Sequence, residues 1–155
     1  FNRIRREDFK TYAELLQKVQ GFAVVVIDTP PYLSKELEEI IKITNIIIIP
    51  CKASLFDVLA IQQTIEYIKL QTATNKKIIP AIILTMVISG ASLQKETREH
   101  LETHGIPIFK TEIGNRVTYA KSLLISGSVL HDDTGKASKE IENLANEILS
   151  LINNS

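Results

Sequence analysis

Two hydrophobic spacings alternate along the chain. Apolar runs rich in β-branched residues occur at Ala23–Ile27, Ile46–Ile49 and Ile78–Thr85, with a shorter one at Ile106–Phe109. Branching at Cβ favours the extended chain. Runs without polar alternation predict strands buried on both faces, as in the middle of a parallel sheet. Between these runs, apolar residues fall three or four apart. Phe9, Tyr12, Leu15, Leu16 and Val19 predict an amphipathic helix over Glu7–Val19, with Gly21 as its left-handed stop. Leu37, Ile40 and Ile41 stand opposite Lys35, Glu38, Glu39 and Lys42. That pattern predicts a helix capped by Ser34 and running to about Ile43. Ser54 and Asp57 fit a Ser-x-x-acid start for a helix from Leu55 to about Gln71. Further helices are predicted from Ser92 to a stop at Gly105, over Val117–Ser126 with a stop at Gly127, and over Lys136–Ile152. The last turns Ile141, Leu144, Ala145, Ile148 and Leu149 inward. Pro50 should stop the second strand, whereas Pro80 stands near the start of the third, where a missing N–H is tolerated. Polar or turn-like stretches at 72–77, 86–91 (with Ser89-Gly90), 111–116 and 131–135 separate the elements.

The resulting order is a helix, then strand–helix three times, then a short strand and two helices. It predicts right-handed crossovers and an α/β fold, a mostly parallel sheet with helices on both faces. A length of 155 residues suits one domain.

Composition narrows the partners. Lysines and arginines balance the acids at zero net charge, so binding to nucleic acid or membrane would need a local patch. No run approaches about 20 apolar residues, so no segment is expected to span a bilayer, and no signal-peptide pattern opens the sequence. Cys51 is the lone cysteine, which excludes an internal disulfide and suits a reducing cytosol. The sequence begins with Phe1 rather than Met, so a fragment, a trimmed chain or a processed product is expected.

Candidate chemistry gathers where strands end. In an open parallel sheet the carboxyl edge binds ligands. Here that edge would collect Asp28-Thr29, Pro50-Cys51-Lys52, Thr85-Met86 and Lys110-Thr111. Thr29-Pro30-Pro31 ends the first run, and Asp28 before it has two readings. It could hold Mg²⁺, directly or through water, beside nucleotide phosphates, or it could cap the next turn. Neither Gly-x-x-x-x-Gly-Lys-Ser/Thr nor Gly-x-Gly-x-x-Gly occurs, and Gly135-Lys136 reads as a helix start. His100 and His104 could share a helix face, but no third ligand accompanies them. Cys51 reads as a buried, inert thiol. Arg116, Lys121, Lys136 and Lys139 could contact phosphates if they converge, and otherwise are solvated charges.

Several stretches together are similar to a known family. They are Phe-Ala-Val-Val-Val-Ile-Asp-Thr-Pro-Pro at 22–31, Ile-Ile-Ile-Ile-Pro-Cys-Lys-Ala-Ser-Leu-Phe-Asp at 46–57 and Ala-Ile-Ile-Leu-Thr at 81–85. The C-terminal run from Ile113 through Arg116, Tyr119, Lys121, Ser122 and 127–129 to Gly135-Lys136 adds to them. Over residues 9–150 the chain resembles the ParA family of partition ATPases, deviant Walker-type P-loop proteins, and above all their small ParF-like plasmid members. The resemblance implies that Asp28 is the catalytic Walker B aspartate, holding Mg²⁺ through water. Thr85 and Met86 would approach the adenine of ATP or ADP, and Ile113 and Gly114 would close over the base. Arg116 and Lys121 would bind DNA without sequence preference. Pro50 would begin a segment near the nucleotide and the assembly surface. It further implies a cytoplasmic, nucleoid-associated homodimer or higher assembly with no membrane binding, stimulated by a centromere-binding ParB- or ParG-like partner.

The departures are specific. The family's first strand, its P-loop with two lysines, the following helix and the second strand would fall before Phe1. Met86 replaces a frequent Arg, Lys52-Ala53 replaces proline-bearing residues, and Asn45 stands where Asp is common. A Walker B carboxylate alone cannot cradle a triphosphate. The parent protein is therefore expected to hydrolyse ATP, and these 155 residues alone are not. Rival readings are a receiver-like domain using Asp28, Thr85 and Lys110, a MinD-like membrane-site relative, and a degenerate subunit that pairs with a complete partner. Glu140, Glu142 and Glu147 oppose the basic amphipathic C-terminal helix that the MinD-like reading needs.

Overall fold

The computed structural model describes residues 3–29, 34–74, 78–88, 92–125, 128–131 and 135–153. The chain divides into two compact units, Phe1–Thr44 and Asn45–Ser155. The predicted stops at Pro30-Pro31 and Gly127, the last residue of the Val117–Ser126 helix and the Ser89-Gly90 loop lie outside the described residues, as do parts of the 72–77 and 131–135 stretches.

The first unit holds a 3₁₀ turn at Arg6–Asp8 and two helices, α1 (Tyr12–Lys18) and α2 (Lys35–Ile43). The helix expected over Glu7–Val19 is broken around Phe9. Polar side chains offer the backbone other partners there. Arg5 N–H donates to Asp8 Oδ2 at 2.7 Å, and Thr11 Oγ accepts Glu14 N–H at 3.2 Å, so the regular helix starts afresh after Thr11. Gly21 does adopt the left-handed conformation, with φ 91°. Ser34 caps α2 by accepting Leu37 N–H at 3.2 Å. Phe9, Tyr12, Leu15 and Ile40 form the core, with Ile4, Val19, Ile27 and Ile43 against it. The Glu36 carboxylate joins the two helices. It accepts Arg6 Nε–H at 2.6 Å and the Tyr12 hydroxyl at 2.8 Å. Burial and then the Glu36 carboxylate push Tyr12 up to about 12.

The strand expected at Ala23–Ile27 does not form. The segment pairs with no described strand, and Val26 is 86% exposed. An apolar, β-branched run becomes a strand only when a neighbour receives its N–H and C=O groups. Only Ile27 reaches the core, as a partly buried side chain.

The second unit is α/β. Strand β1 (Ile46–Lys52) leads through α3 (Leu55–Thr74) to β2 (Ile79–Thr85), then to α4 (Ser92–Glu102), α5 (Val117–Ile125) and α6 (Lys136–Asn153). β1 and β2 pair in parallel, Ile46 opposite Ile79 through Lys52 opposite Thr85. Pro50 does not stop β1. Among the described residues β1 is laddered on one side only, where a missing N–H can face away from the pair. The short run at Ile106–Phe109 continues the sheet as a parallel bridge from Ile108 to Ile82. Ile82 N–H donates to Pro107 O and Phe109 N–H to Ile82 O, both at 2.8 Å.

Side-chain alternation gives β2 two apolar faces. Ala81 and Ile83 meet Phe109, Leu144, Ile148 and Leu151, which seats α6 on one face. Ile82 and Leu84 occupy the alternate positions and are fully buried. α3 packs across both strands and against α4. Ser54 and Asp57 open α3 as expected: Ser54 Oγ accepts Asp57 N–H at 3.3 Å and donates to Asp57 Oδ2 at 2.7 Å. Gly105, with φ 69°, ends the turn after α4.

Candidate functional site

The carboxyl end of β2 meets the loop that follows Lys110. Ile113 N–H donates to Leu84 O at 2.9 Å, Val87 N–H to Ile113 O at 3.0 Å and Asn115 N–H to Val87 O at 2.9 Å. Thr85-Met86, expected at the ligand edge, and Ile113-Gly114, which the resemblance places over the base, therefore lie within one main-chain network. Met86 makes the bend just after β2, between the bonded residues Leu84 and Val87. Its φ is 51°, a conformation that costs a residue with a side chain of the order of 1 kcal/mol, held by the bonds on either side. Met86 is 55% exposed, so the bend presents an apolar, polarizable residue at the strand end. Ile113 is committed differently: its side chain packs into the α6 face of the core.

Two acids on α6 hold this loop from the other side. Glu140 Oε2 accepts Gly114 N–H at 3.2 Å and the Tyr119 hydroxyl at 2.8 Å. Its Oε1 accepts Arg116 Nε–H at 3.0 Å and a second guanidinium N–H. Burial drives the Glu140 carboxyl upward, and the bonds from Arg116, Tyr119 and Gly114 outweigh it, leaving it below the ordinary carboxylate range. Tyr119 is pushed up, first by burial and then by its bond to that carboxylate. A Cβ at Gly114 would stand 3.0 Å from the Arg116 guanidinium, so the bare glycine leaves room for that side chain. Seven residues on, Glu147 accepts Lys110 N–H at 2.8 Å, Thr111 N–H at 2.7 Å and the Thr111 hydroxyl. Glu112, between these anchors, accepts Arg98 from α4 at 2.8 Å.

Sequence reasoning used Glu140 and Glu147 only against a membrane helix and missed their contact with the loop. The signal was present. The two acids are two helical turns apart and interleave with the inward residues Leu144, Ile148 and Leu151. Acids on an apolar stripe call for buried donors.

Asp28 lies in the first unit, exposed, on the unpaired segment. Lys121 is exposed on α5, whereas the Arg116 guanidinium is already paired with Glu140. Cys51 is buried, and desolvation followed by the charge of Asp57 raises its thiol to about 11, so it stays protonated at neutral pH. His100 and His104 stack edge to face at 5.8 Å, and no group of three metal-ligating side chains occurs among the described residues. Two grooves of about 500 and 300 Å³ flank Lys110 and Glu147, and neither is lined by Thr85, Met86, Ile113 or Gly114. No described helix is long and apolar enough to cross a membrane.

No protein-family model matches the chain. It is similar to a curated protein of Halothiobacillus neapolitanus, Maintenance of carboxysome distribution protein A, at 28% identity over 128 residues. The match covers 81% of this chain and 59% of that protein, so the chain spans little more than half the length of its relative. This supports the ParA-like resemblance at a coarse level and gives no support to its ParF-like branch.

Proposed function

We infer that this chain is the portion of a ParA-type positioning ATPase that faces the nucleotide base. The observation that carries the reading is the hydrogen bonding of Leu84 and Val87, which flank Thr85-Met86, to Ile113 and Asn115, which flank Gly114. Thr85-Met86 and Ile113-Gly114 are the two segments that the family resemblance assigns to adenine. At the end of β2 Met86 offers an exposed surface on which a base can rest, and the main-chain ladder fixes the distance between strand end and loop. The base end of ATP or ADP thus fits residues that are present. The phosphate end does not, because the sequence has no Gly-x-x-x-x-Gly-Lys-Ser/Thr cradle. Asp28, an exposed carboxylate, would hold Mg²⁺ through water, and the ion would neutralise phosphate charge when bound.

In this reading the whole protein hydrolyses ATP as a homodimer or higher assembly, in the cytoplasm and on the nucleoid. A centromere-binding ParB- or ParG-like partner stimulates it. Lys121, exposed on α5, would contact DNA phosphates, while Arg116 could contribute only by leaving Glu140. The relative's name points to a carboxysome as cargo, and the ParF-like resemblance to a plasmid.

The test is nucleotide binding by the native protein, with Mg²⁺ present. ATP and ADP should bind, and Thr85→Arg, which places a bulky cation at the strand end, should abolish binding while the circular dichroism spectrum stays unchanged. A native protein that binds neither nucleotide would overturn the reading.

A further inference from the structure

We propose that Glu140 is a positioning residue for the loop over Ile113–Arg116, and through it for a purine base at the end of β2. The inference rests on the nucleotide reading above and adds a residue that the family resemblance leaves without a role.

The loop is held from two sides. On the sheet side its bonds all run to the end of β2 and the residues just after it, through Leu84 O, Ile113 O and Val87 O. On the other side Gly114 N–H turns to Glu140 Oε2, and the Arg116 guanidinium lies against Gly114 while bonded to Glu140 Oε1. One carboxylate therefore fixes the backbone of Gly114 and the side chain two residues on. Tyr119 from α5 donates to the same group and fixes its rotamer. The Glu140 side chain is only 16% exposed, so these charge-assisted bonds are shielded from water and stronger than surface ones. α6 itself is immobilised on the sheet by Leu144, Ile148 and Leu151. The carboxylate is thus a fixed anchor rather than a side chain following the loop.

Glu140→Gln removes the charge and leaves one acceptor oxygen for donors that share two in the carboxylate, so either Gly114 N–H or the Arg116 guanidinium loses its acceptor. The loop should then open on the side away from β2, loosening the contact with the base. Recognition of phosphates is not routed through this loop, so it should not change.

The experiment uses the native protein, its Glu140→Gln and Glu140→Asp variants, and three probes: ATP, ADP and inorganic tripolyphosphate. Calorimetric titration should show Glu140→Gln weakening ATP and ADP by about 10-fold, the size expected for losing a charged hydrogen-bond partner. Tripolyphosphate affinity should be unchanged, and Glu140→Asp should recover part of the loss. Amide exchange at 113–116 should quicken in Glu140→Gln. If that variant fails to fold, Glu140→Asp must show the same split at smaller size. Equal weakening of ATP and tripolyphosphate, or no weakening of either, would overturn the proposal alone. A wild-type protein that binds neither ATP nor ADP would sink the nucleotide reading, and this inference with it.

Discussion

A single carboxylate shows how local chemistry sets the behaviour of the loop. Glu140 and Glu147 both end below the ordinary carboxylate range, although burial, the largest influence on each, acts in the opposite direction. Donors from Arg116, Tyr119 and Gly114 in one case, and from Thr111 and Lys110 in the other, prevail. A folded-state value below the unfolded one means the unfolded chain binds protons first as pH falls. These groups therefore add stability above the unfolded glutamate value of about 4.3, and that stability is lost as pH drops through and below it. Melting temperature should fall steeply below about pH 4.3, and Glu140→Gln with Glu147→Gln should flatten that limb while lowering stability at pH 7. Thermal unfolding followed from pH 7 to 3 checks both; an unchanged acid limb in the double variant would contradict the assignment. Neither role could be read from residue type, because a glutamate on a helix surface and one aimed at a loop N–H are the same letter. The difference lies in which face of α6 meets the sheet.

The elements follow short-range rules where those rules are strong. Ser34 and Ser54 were identifiable as caps because a side-chain oxygen before an amphipathic run satisfies an N–H that the helix cannot, and both do so. Ser34→Ala and Ser54→Ala should each cost about 1 kcal/mol, read by urea unfolding, and the two should add because they cap separate helices. A cost near zero at either site would show the cap to be replaced by water. The strands were harder. Ile46–Ile49 and Ile78–Thr85 found each other in register, and Pro50 was accommodated because β1 is laddered on one side among the described residues. Ala23–Ile27 is likewise apolar and rich in β-branched residues, and stays unpaired among the described residues. Composition records a capacity for pairing, while the ladder needs a neighbour that a local window does not contain. The same limit separates Thr85 and Met86, whose place at a strand end was legible, from the Glu140 contact, which depends on α6 returning to the loop.

The division of the chain at Thr44 separates two very different cores. The second unit encloses β2 on both faces, with Ile65, Ile82, Leu84 and Leu101 fully buried and α6 seated on Ala81, Ile83 and Phe109. The first rests on Phe9, Tyr12, Leu15 and Ile40, plus an ion pair between Arg6 and Glu36 whose side chains are largely exposed. Exposed ion pairs contribute little, and chains of roughly 40 residues seldom bury enough surface to offset the entropy of ordering them. Residues 45–155 expressed alone should therefore keep a cooperative thermal transition and a mixed helix–strand circular dichroism spectrum. Residues 1–44 alone should give the spectrum of an unfolded chain and show no transition. A 45–155 fragment without a transition would contradict this expectation and mean that the larger core is incomplete by itself.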